Sequence, residues 1–207
     1  MRFQELKTDQ LFLRYAPVEV GQYNMPLIRK QALGLPATIH LIAANETKAR
    51  ESKKRCAYGV HHFVSDDRLR SLYTHPNRVL RRYAQYAFVL TPDYSVYGDM
   101  PLWRQIESVA HSRWCGAYWQ SKGLKVITTI TWGLSNSFNF CFDGVEPGSI
   151  VAISTVGTRL AKVSFMEGYR EMMRRIHPSA ILCIDQPYPE MFGNIITIAY
   201  PTWKGCA

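Results

Sequence analysis

Seven short apolar runs, rich in β-branched residues, recur along the chain. Several are continuous rather than alternating, as in AFVL, IVAI and AILCI, which is typical of strands covered on both faces. The runs predict strands over residues 40–44, 60–64, 87–91, 126–132, 150–155, 180–185 and 195–200.

Helical periodicity appears between several of these runs. Residues 101–121 open with Asp99 and Pro101, a plausible cap and first-turn pair, and stop just before Gly123. Residues 163–176 repeat apolar side chains at helical spacing and precede Pro178, which limits their extension. A third helix is predicted over 76–86.

Strands that alternate with helices indicate right-handed βαβ units and a parallel sheet. Seven strands come close to a (β/α)₈ barrel, but the chain is shorter than the roughly 250 residues usual for that fold. We therefore predict an α/β fold, a compact or incomplete TIM-barrel-like domain, with an open doubly wound sheet as second choice. The last link is too short for a crossover helix, so the final strand is predicted to pair differently.

No repeat or linker divides the chain, and its composition is that of a globular protein. Of its 207 residues, 47% are hydrophobic and 20% are charged. We predict one domain over 1–207, with 1–38 as a peripheral N-terminal segment. Five cysteines without a CxxC pair favour reduced thiols. The sequence shows no signal-peptide core and no membrane-length apolar run, so we expect a cytoplasmic protein without a membrane partner.

The charge balance points to an anionic partner. The formal net charge is +9, which favours association with nucleic acid, nucleotides or other phosphate esters, although a positive balance can also serve only solubility. One basic run is the candidate nucleic-acid contact, and it comprises Lys48, Arg50, Lys53, Lys54 and Arg55.

Acidic residues follow three of the predicted strands, where parallel α/β folds bind ligands. Asp66 or Asp67, Asp93 and Asp185 could converge there as acid/base groups or as ligands of a hard cation such as Mg²⁺. Asp66, Asp93 and Asp99 are the candidate catalytic residues. The alternative is that these residues are helix caps and turn formers.

Two further features indicate an anion site. Arg113 lies on the apolar stripe of the 101–121 helix, so its guanidinium should snorkel, pair with a carboxylate or reach an anion. Ser154 and Thr155 open the segment STVGT between a strand and a helix, where backbone N–H groups could cradle a phosphate. Neither GxxxxGK[ST] nor GxGxxG occurs in the sequence.

Four ordered segments carry a resemblance to a known family. They are YGVHHFVSDDR (58–68), LTPDYSVYGDMP (90–101), GAYWQSKGLKVITTITW (116–132) and SFNFCFDGVEPGSIVAISTVG (137–157). The chain resembles the domain of unknown function 4417 family, found in phages, plasmids and bacterial genomes, over roughly residues 40–185. The family's polar motif positions fall here on Asp66, Asp67, Asp93, Ser95, Asp99, Arg113, Trp119, Gln120, Trp132, Ser137, Asp143, Ser154 and Thr155.

The resemblance implies a mobile-element setting and a coherent set of strand-end positions, and it supplies no activity. With it, the candidate ligand-binding set becomes Arg113, Gln120, Trp132, Ser137, Ser154 and Thr155. The sequence favours a polar pocket that binds a phosphate-bearing ligand, a nucleotide or a derivative of nucleic acid, with catalysis left open. The alternative is a non-catalytic, basic nucleic-acid-binding accessory protein.

Overall fold

A seven-stranded parallel sheet forms the centre of the protein. The computed structural model describes residues 15–35, 38–51 and 55–199. The strands are β1 (Glu19–Val20), β2 (Met25–Pro26), β3 (Leu41–Ala43), β4 (Gly59–His61), β5 (Phe88–Leu90), β6 (Val126–Thr129), β7 (Ile150–Ser154), β8 (Ala180–Ile184) and β9 (Ile195–Ile198).

The sheet runs from β3 to β9 in chain order and curls into a half-barrel. A doubly wound sheet would reverse its strand order at a switch point, and this sheet does not. The prediction of an incomplete TIM-barrel-like fold is therefore confirmed, as are all seven predicted strands.

The prediction that the last strand pairs differently is wrong. Strand β9 pairs parallel to β8, with Ile181 opposite Ile195 and Cys183 opposite Thr197. The link between β8 and β9 contains no full helix. It crosses the helical layer as an irregular segment and returns the chain to the start of a parallel strand. The Tyr169 hydroxyl, for example, donates to the Phe192 carbonyl at 2.5 Å.

In the part of the chain that the structure describes, four α-helices lie in the crossovers. They are α1 (Asp66–Thr74), α2 (Asn77–Tyr83), α3 (Leu102–Ser121) and α4 (Lys162–Ile176). The last three match the predicted helices, whereas α1 was not predicted. Among the described residues, none of these helices has the length and apolar character needed to cross a lipid bilayer.

The strands bury both of their faces, as their continuous apolar runs predict. Leu90, Ile127, Ala152 and Leu182 form a cluster on one face, which the segment carrying Leu33, Leu35 and Ile39 covers in part. The opposite face packs against the helices in two clusters, one with α1 to α3 and the other with α4 and part of α3.

Residues 27–31 attach the N-terminal region to this layer. The Gln120 side chain bonds both backbone groups of Arg29, at 2.9 and 2.8 Å. Gln31 in turn accepts from the Val126 N–H at 2.7 Å and donates to the Leu124 carbonyl at 3.3 Å. These bonds hold the segment at the end of the sheet where β6 begins.

Candidate functional site

Two carboxylates lie near the carboxyl ends of β4 and β5, close enough for the charge of Asp66 to affect Asp93. Asp66 is the first residue of α1, and Asp93 follows β5. Both the N–H and the hydroxyl of Ser95 donate to Asp66 Oδ1, at 3.2 and 3.1 Å. Thr131, which follows β6, donates its hydroxyl to Asp93 Oδ1 at 2.5 Å. Neighbouring parallel strands thus bring together the two acidic positions predicted from their strand ends.

The surroundings of Asp93 change its acidity. Burial raises the pKa of this carboxyl to about 6, the Thr131 hydroxyl opposes that rise, and the charge of Asp66 adds to it. Asp93 therefore titrates closer to neutrality than an ordinary aspartate, as a general acid or base needs to do. The sequence indicated Asp93 but not Thr131, although Thr131 lies in the segment TITW that ends β6.

Asp66 is exposed at the strand ends, whereas Asp93 is partly buried. A cavity of about 10 Å³ beside Thr131 and Tyr94 has roughly the room of one water molecule. A larger cleft of about 300 Å³ lies at the other end of the sheet, between the starts of β5 and β6, where Lys122 and Lys125 line it.

A turn over residues 97–100 borders the pair. The Tyr97 and Ser95 hydroxyls are 3.2 Å apart, which links Tyr97 to the serine that hydrogen-bonds Asp66. Asp99 is exposed in this turn, and no contact among the described residues joins it to Asp66 or Asp93. Sequence reasoning did not single out Tyr97, despite its place in the segment DYSVYGD.

Two adjacent histidines lie at the carboxyl end of β4, His61 as its last residue and His62 just after it. His62 is fully buried, donates from Nδ1 to the Leu90 carbonyl at 2.8 Å and contacts the Tyr83 hydroxyl through Nε2 at 2.9 Å. Burial lowers the pKa of His62 to about 3 and that of His61 to about 4. Both imidazoles are therefore neutral at pH 7.

Arg113 bonds three backbone carbonyls. Its guanidinium donates to Thr129, Cys141 and Asp143 at 3.0, 2.7 and 3.0 Å, and the residue is 1% exposed. Burial lowers its pKa to about 10, so the cation persists at neutral pH. This geometry ties α3 to β6 and to the loop after β6, and it gives no support to an anion site at Arg113.

The other predicted ligand residues also bond within the protein. Gln120 holds Arg29 at the far end of the sheet, as described above. Ser137 donates to the Leu134 carbonyl at 2.7 Å and accepts from the Gly133 N–H at 3.0 Å. The Trp132 ring packs 5.0 Å from the Phe165 ring on α4. None of these three contacts the carboxylate pair among the described residues.

The segment after β7 shows a similar pattern. Thr155 donates to the carbonyls of Ile184 and Gln186, at 3.2 and 2.9 Å, which joins the ends of β7 and β8. The Ser154 hydroxyl accepts from the Val156 N–H at 3.2 Å. Both residues lie at the strand carboxyl ends, as predicted, and their hydroxyls already have protein partners.

The basic run contributes two described side chains. Lys48 and Arg50 are exposed after β3, whereas Lys53 and Lys54 lie outside the described residues, and so does the Arg55 side chain. Gln85, just after α2, donates to the Ala49 carbonyl at 2.8 Å. Residues 48–50 therefore lie against the end of α2, where Arg81 is also exposed.

No group of three or more His, Cys, Asp or Glu side chains within the described ranges could hold a metal ion. Asp66 and Asp93 are thus a two-carboxylate pair rather than a complete protein site. Mg²⁺ is commonly held by one or two carboxylates together with substrate phosphates. A cation at this pair would take its remaining ligands from water and from a bound phosphate.

Comparison with known proteins identifies relatives among phage proteins. The Gene 1 protein of Mycobacterium phage L5 is 38% identical over 195 residues, which cover 89% of this chain and 84% of the relative. The Gene 1 protein of Mycobacterium phage D29 is 36% identical over 195 residues, covering 89% and 71%. No solved structure matches the chain. The family described as Domain of unknown function (DUF4417) matches residues 18–201, and the chain belongs to that family.

Proposed function

We propose that Asp66 and Asp93 bind a phosphate-bearing ligand through a shared divalent cation. The convergence of these two carboxylates from neighbouring strands carries the proposal. Two carboxylates alone repel a phosphate, so a cation such as Mg²⁺ must lie between them. The fixed hydroxyls of Ser95 and Thr131 hold the carboxylates in position.

This arrangement makes binding of cation and ligand mutually dependent. Each alone finds an incomplete set of partners, whereas together they complete the coordination of the metal. The experiment is a thermal-shift titration with Mg²⁺, with inorganic phosphate or a nucleoside monophosphate, and with both. We expect a clear rise of Tm only when both are present, and we expect Asp66→Asn and Asp93→Asn to abolish it.

Asp67→Asn is the matched control, since Asp67 is the next carboxylate on α1 and is exposed. It should respond like the wild type. Asp99→Asn tests whether the exposed turn takes part, as the sequence predicted. A Tm that no combination raises, or a shift that survives Asp93→Asn, would contradict the proposal.

A second candidate function rests on a basic face formed by Lys48, Arg50, Arg78 and Arg81. Arg78 and Arg81 are three residues apart and exposed, so they share a side of α2, and Gln85 lies just beyond the end of that helix. Gln85 binds the loop that carries Lys48 and Arg50. Helix α2 contains no acidic residue to offset these cations. Such a face suits the phosphate backbone of nucleic acid.

Salt dependence tests this second function. Replacing Arg78 and Arg81 by Ala should reduce the slope of log affinity against log salt by about one per lost phosphate contact. Lys53, Lys54 and Arg55 are tested by a second triple-alanine variant. Arg174→Ala is the control, because Arg174 is exposed on α4 and paired with Glu171 at 2.7 Å. Equal slopes for all variants would rule out the basic face.

A further inference from the structure

Two large aromatic side chains stand exposed where the chain enters α3. Tyr97 is 63% exposed in the connection from β5, where Ser95 links it to Asp66, and Trp103 is 64% exposed in the first turn of α3. The other described tryptophans on α3, Trp114 and Trp119, are buried. The exposure of these two rings therefore needs an explanation that core packing does not provide.

Tyr97 is held in place by its surroundings. Its hydroxyl bonds Ser95, and its carbonyl accepts from the Met100 N–H at 3.1 Å. Gln105 is fully buried and anchors the turn by donating to the Met100 carbonyl at 2.8 Å. Gly98 lets Leu134 pack against the turn, since a Cβ there would lie 2.8 Å from Leu134 Cγ. A ring fixed in this way loses little conformational entropy when a ligand stacks on it.

The charge beside the second ring also suits an anion with a planar group. The Arg104 guanidinium lies 6.0 Å from the centre of the Trp103 ring and 3.5 Å from Glu107. A stacked base keeps its phosphate within reach of such a side chain. Because Asp66, Tyr97 and Trp103 are all exposed, these positions suit an extended ligand better than one that needs an enclosed pocket.

We propose that Tyr97 and Trp103 stack on nucleobases, and that the ligand at Asp66 and Asp93 is a single-stranded nucleic acid. This inference rests on the proposed function and specifies the substrate class of the same site. Phosphates of the strand would meet the cation between the carboxylates, while unpaired bases lie on the exposed rings. Paired bases in a duplex are not available for such stacking.

The test compares oligonucleotides that differ only in their bases. Binding of single-stranded oligothymidylate, of an abasic strand of equal length and of thymidine monophosphate is measured with Mg²⁺, using tryptophan fluorescence for the wild type. Fluorescence anisotropy of labelled strands is used for all variants. We expect Tyr97→Ala and Trp103→Ala each to weaken oligothymidylate binding about tenfold. Tyr97→Phe should retain most of the affinity, and binding of the abasic strand should not change.

Phe192→Ala is the matched control, because Phe192 is 53% exposed and lies in the link after β8. Equal binding of abasic and normal strands, or an equal loss with Phe192→Ala, would overturn the inference. So would a change of oligomeric state in the two alanine variants, since the rings would then serve contacts between copies. If thymidine monophosphate binds as tightly as oligothymidylate, the ligand is a nucleotide. The inference that the ligand is a single strand would then be overturned. The inorganic phosphate shift tests the carboxylate pair without a base, so the two failures can be told apart.

Discussion

At the scale of single residues, Asp93 links burial most directly to chemistry. Its pKa is raised to about 6 in the folded protein, mainly by burial. The unfolded chain returns the group to its ordinary value near 3.9. Between about pH 4 and pH 6 the folded state therefore binds more protons than the unfolded state, and stability must fall as the pH rises through that window.

Asp93→Asn removes this dependence, because the amide does not titrate and can still accept from Thr131. The difference in Tm between Asp93→Asn and the wild type should grow in favour of the variant from about pH 4 to pH 6 and then level off. Thermal melts at a series of pH values measure it. In Asp67→Asn any change should appear at lower pH, since a hydrogen bond from Ser65 lowers the pKa of Asp67. A constant difference across the series would contradict the burial of Asp93.

The positions of the two carboxylates could be predicted from the sequence, whereas the partners of Arg113 could not. Asp66 and Asp93 were predictable because strand ends in a parallel sheet lie at one edge. The sequence predicted that Arg113 is a buried cation that needs a partner, and the structure shows it 1% exposed and hydrogen-bonded. Its partners are backbone carbonyls from residues 129, 141 and 143. Side-chain periodicity carries no information on which carbonyls a distant loop leaves free.

At the scale of elements, the packing of α4 depends on one glycine. A Cβ at Gly168 would lie 2.1 Å from Trp132 Nε1, so the ring and the helix approach as closely as the missing side chain allows. In a free helix, Gly→Ala gains about 1 kcal/mol. Here overpacking should outweigh that gain and destabilise the protein by about 1–3 kcal/mol. Urea denaturation of Gly168→Ala measures the net effect.

Two further variants separate packing from helix propensity. Glu167→Ala, at an exposed neighbour on α4, should stay within about 0.5 kcal/mol of the wild type. Combining Gly168→Ala with Trp132→Phe should cost less than the sum of the single changes, because the smaller ring makes room for the methyl group. A more stable Gly168→Ala protein would show that Trp132 moves away without cost.

Elements that an apolar pattern marks were predictable, and elements without one were not. The seven sheet strands and the three predicted helices appear in the structure close to their predicted bounds. Helix α1 was missed because only Leu69 and Leu72 of its nine residues are buried, which leaves too little periodicity to detect. The β1–β2 hairpin was missed because each strand has two residues.

At the scale of the whole molecule, closure of the sheet is the property least visible in the sequence. Alternating strands and helices predict sequential parallel order. A closed barrel would in addition need its first strand, β3, to pair with its last, β9, and among the described strands this pairing is not present. No local pattern reports on a contact between residues more than 150 positions apart. The choice between incomplete barrel and doubly wound sheet therefore depended on strand number and chain length.

Ile28 tests the prediction from sequence that residues 1–38 are a peripheral segment. Ile28 is 2% exposed, and its side chain fills the space beside Gly116 on α3, where a Cβ would lie 2.4 Å from Ile28 Cδ1. Ile28→Ala should therefore cost about 2–5 kcal/mol. Val18→Ala, at a position 54% exposed, should cost no more than about 0.5 kcal/mol.

A chain that begins at residue 39 tests whether the fold is stable without the whole N-terminal segment. It loses the Gln31 bonds to β6, the Arg29 backbone that Gln120 binds, and the cover that Leu33 and Leu35 give to the sheet. Exposed apolar sheet should bind a hydrophobic dye, and the cooperative thermal transition followed by circular dichroism should be lost. A shortened chain that unfolds cooperatively at the wild-type Tm, without dye binding, would instead establish the segment as peripheral, and Ile28→Ala would then be expected to cost little.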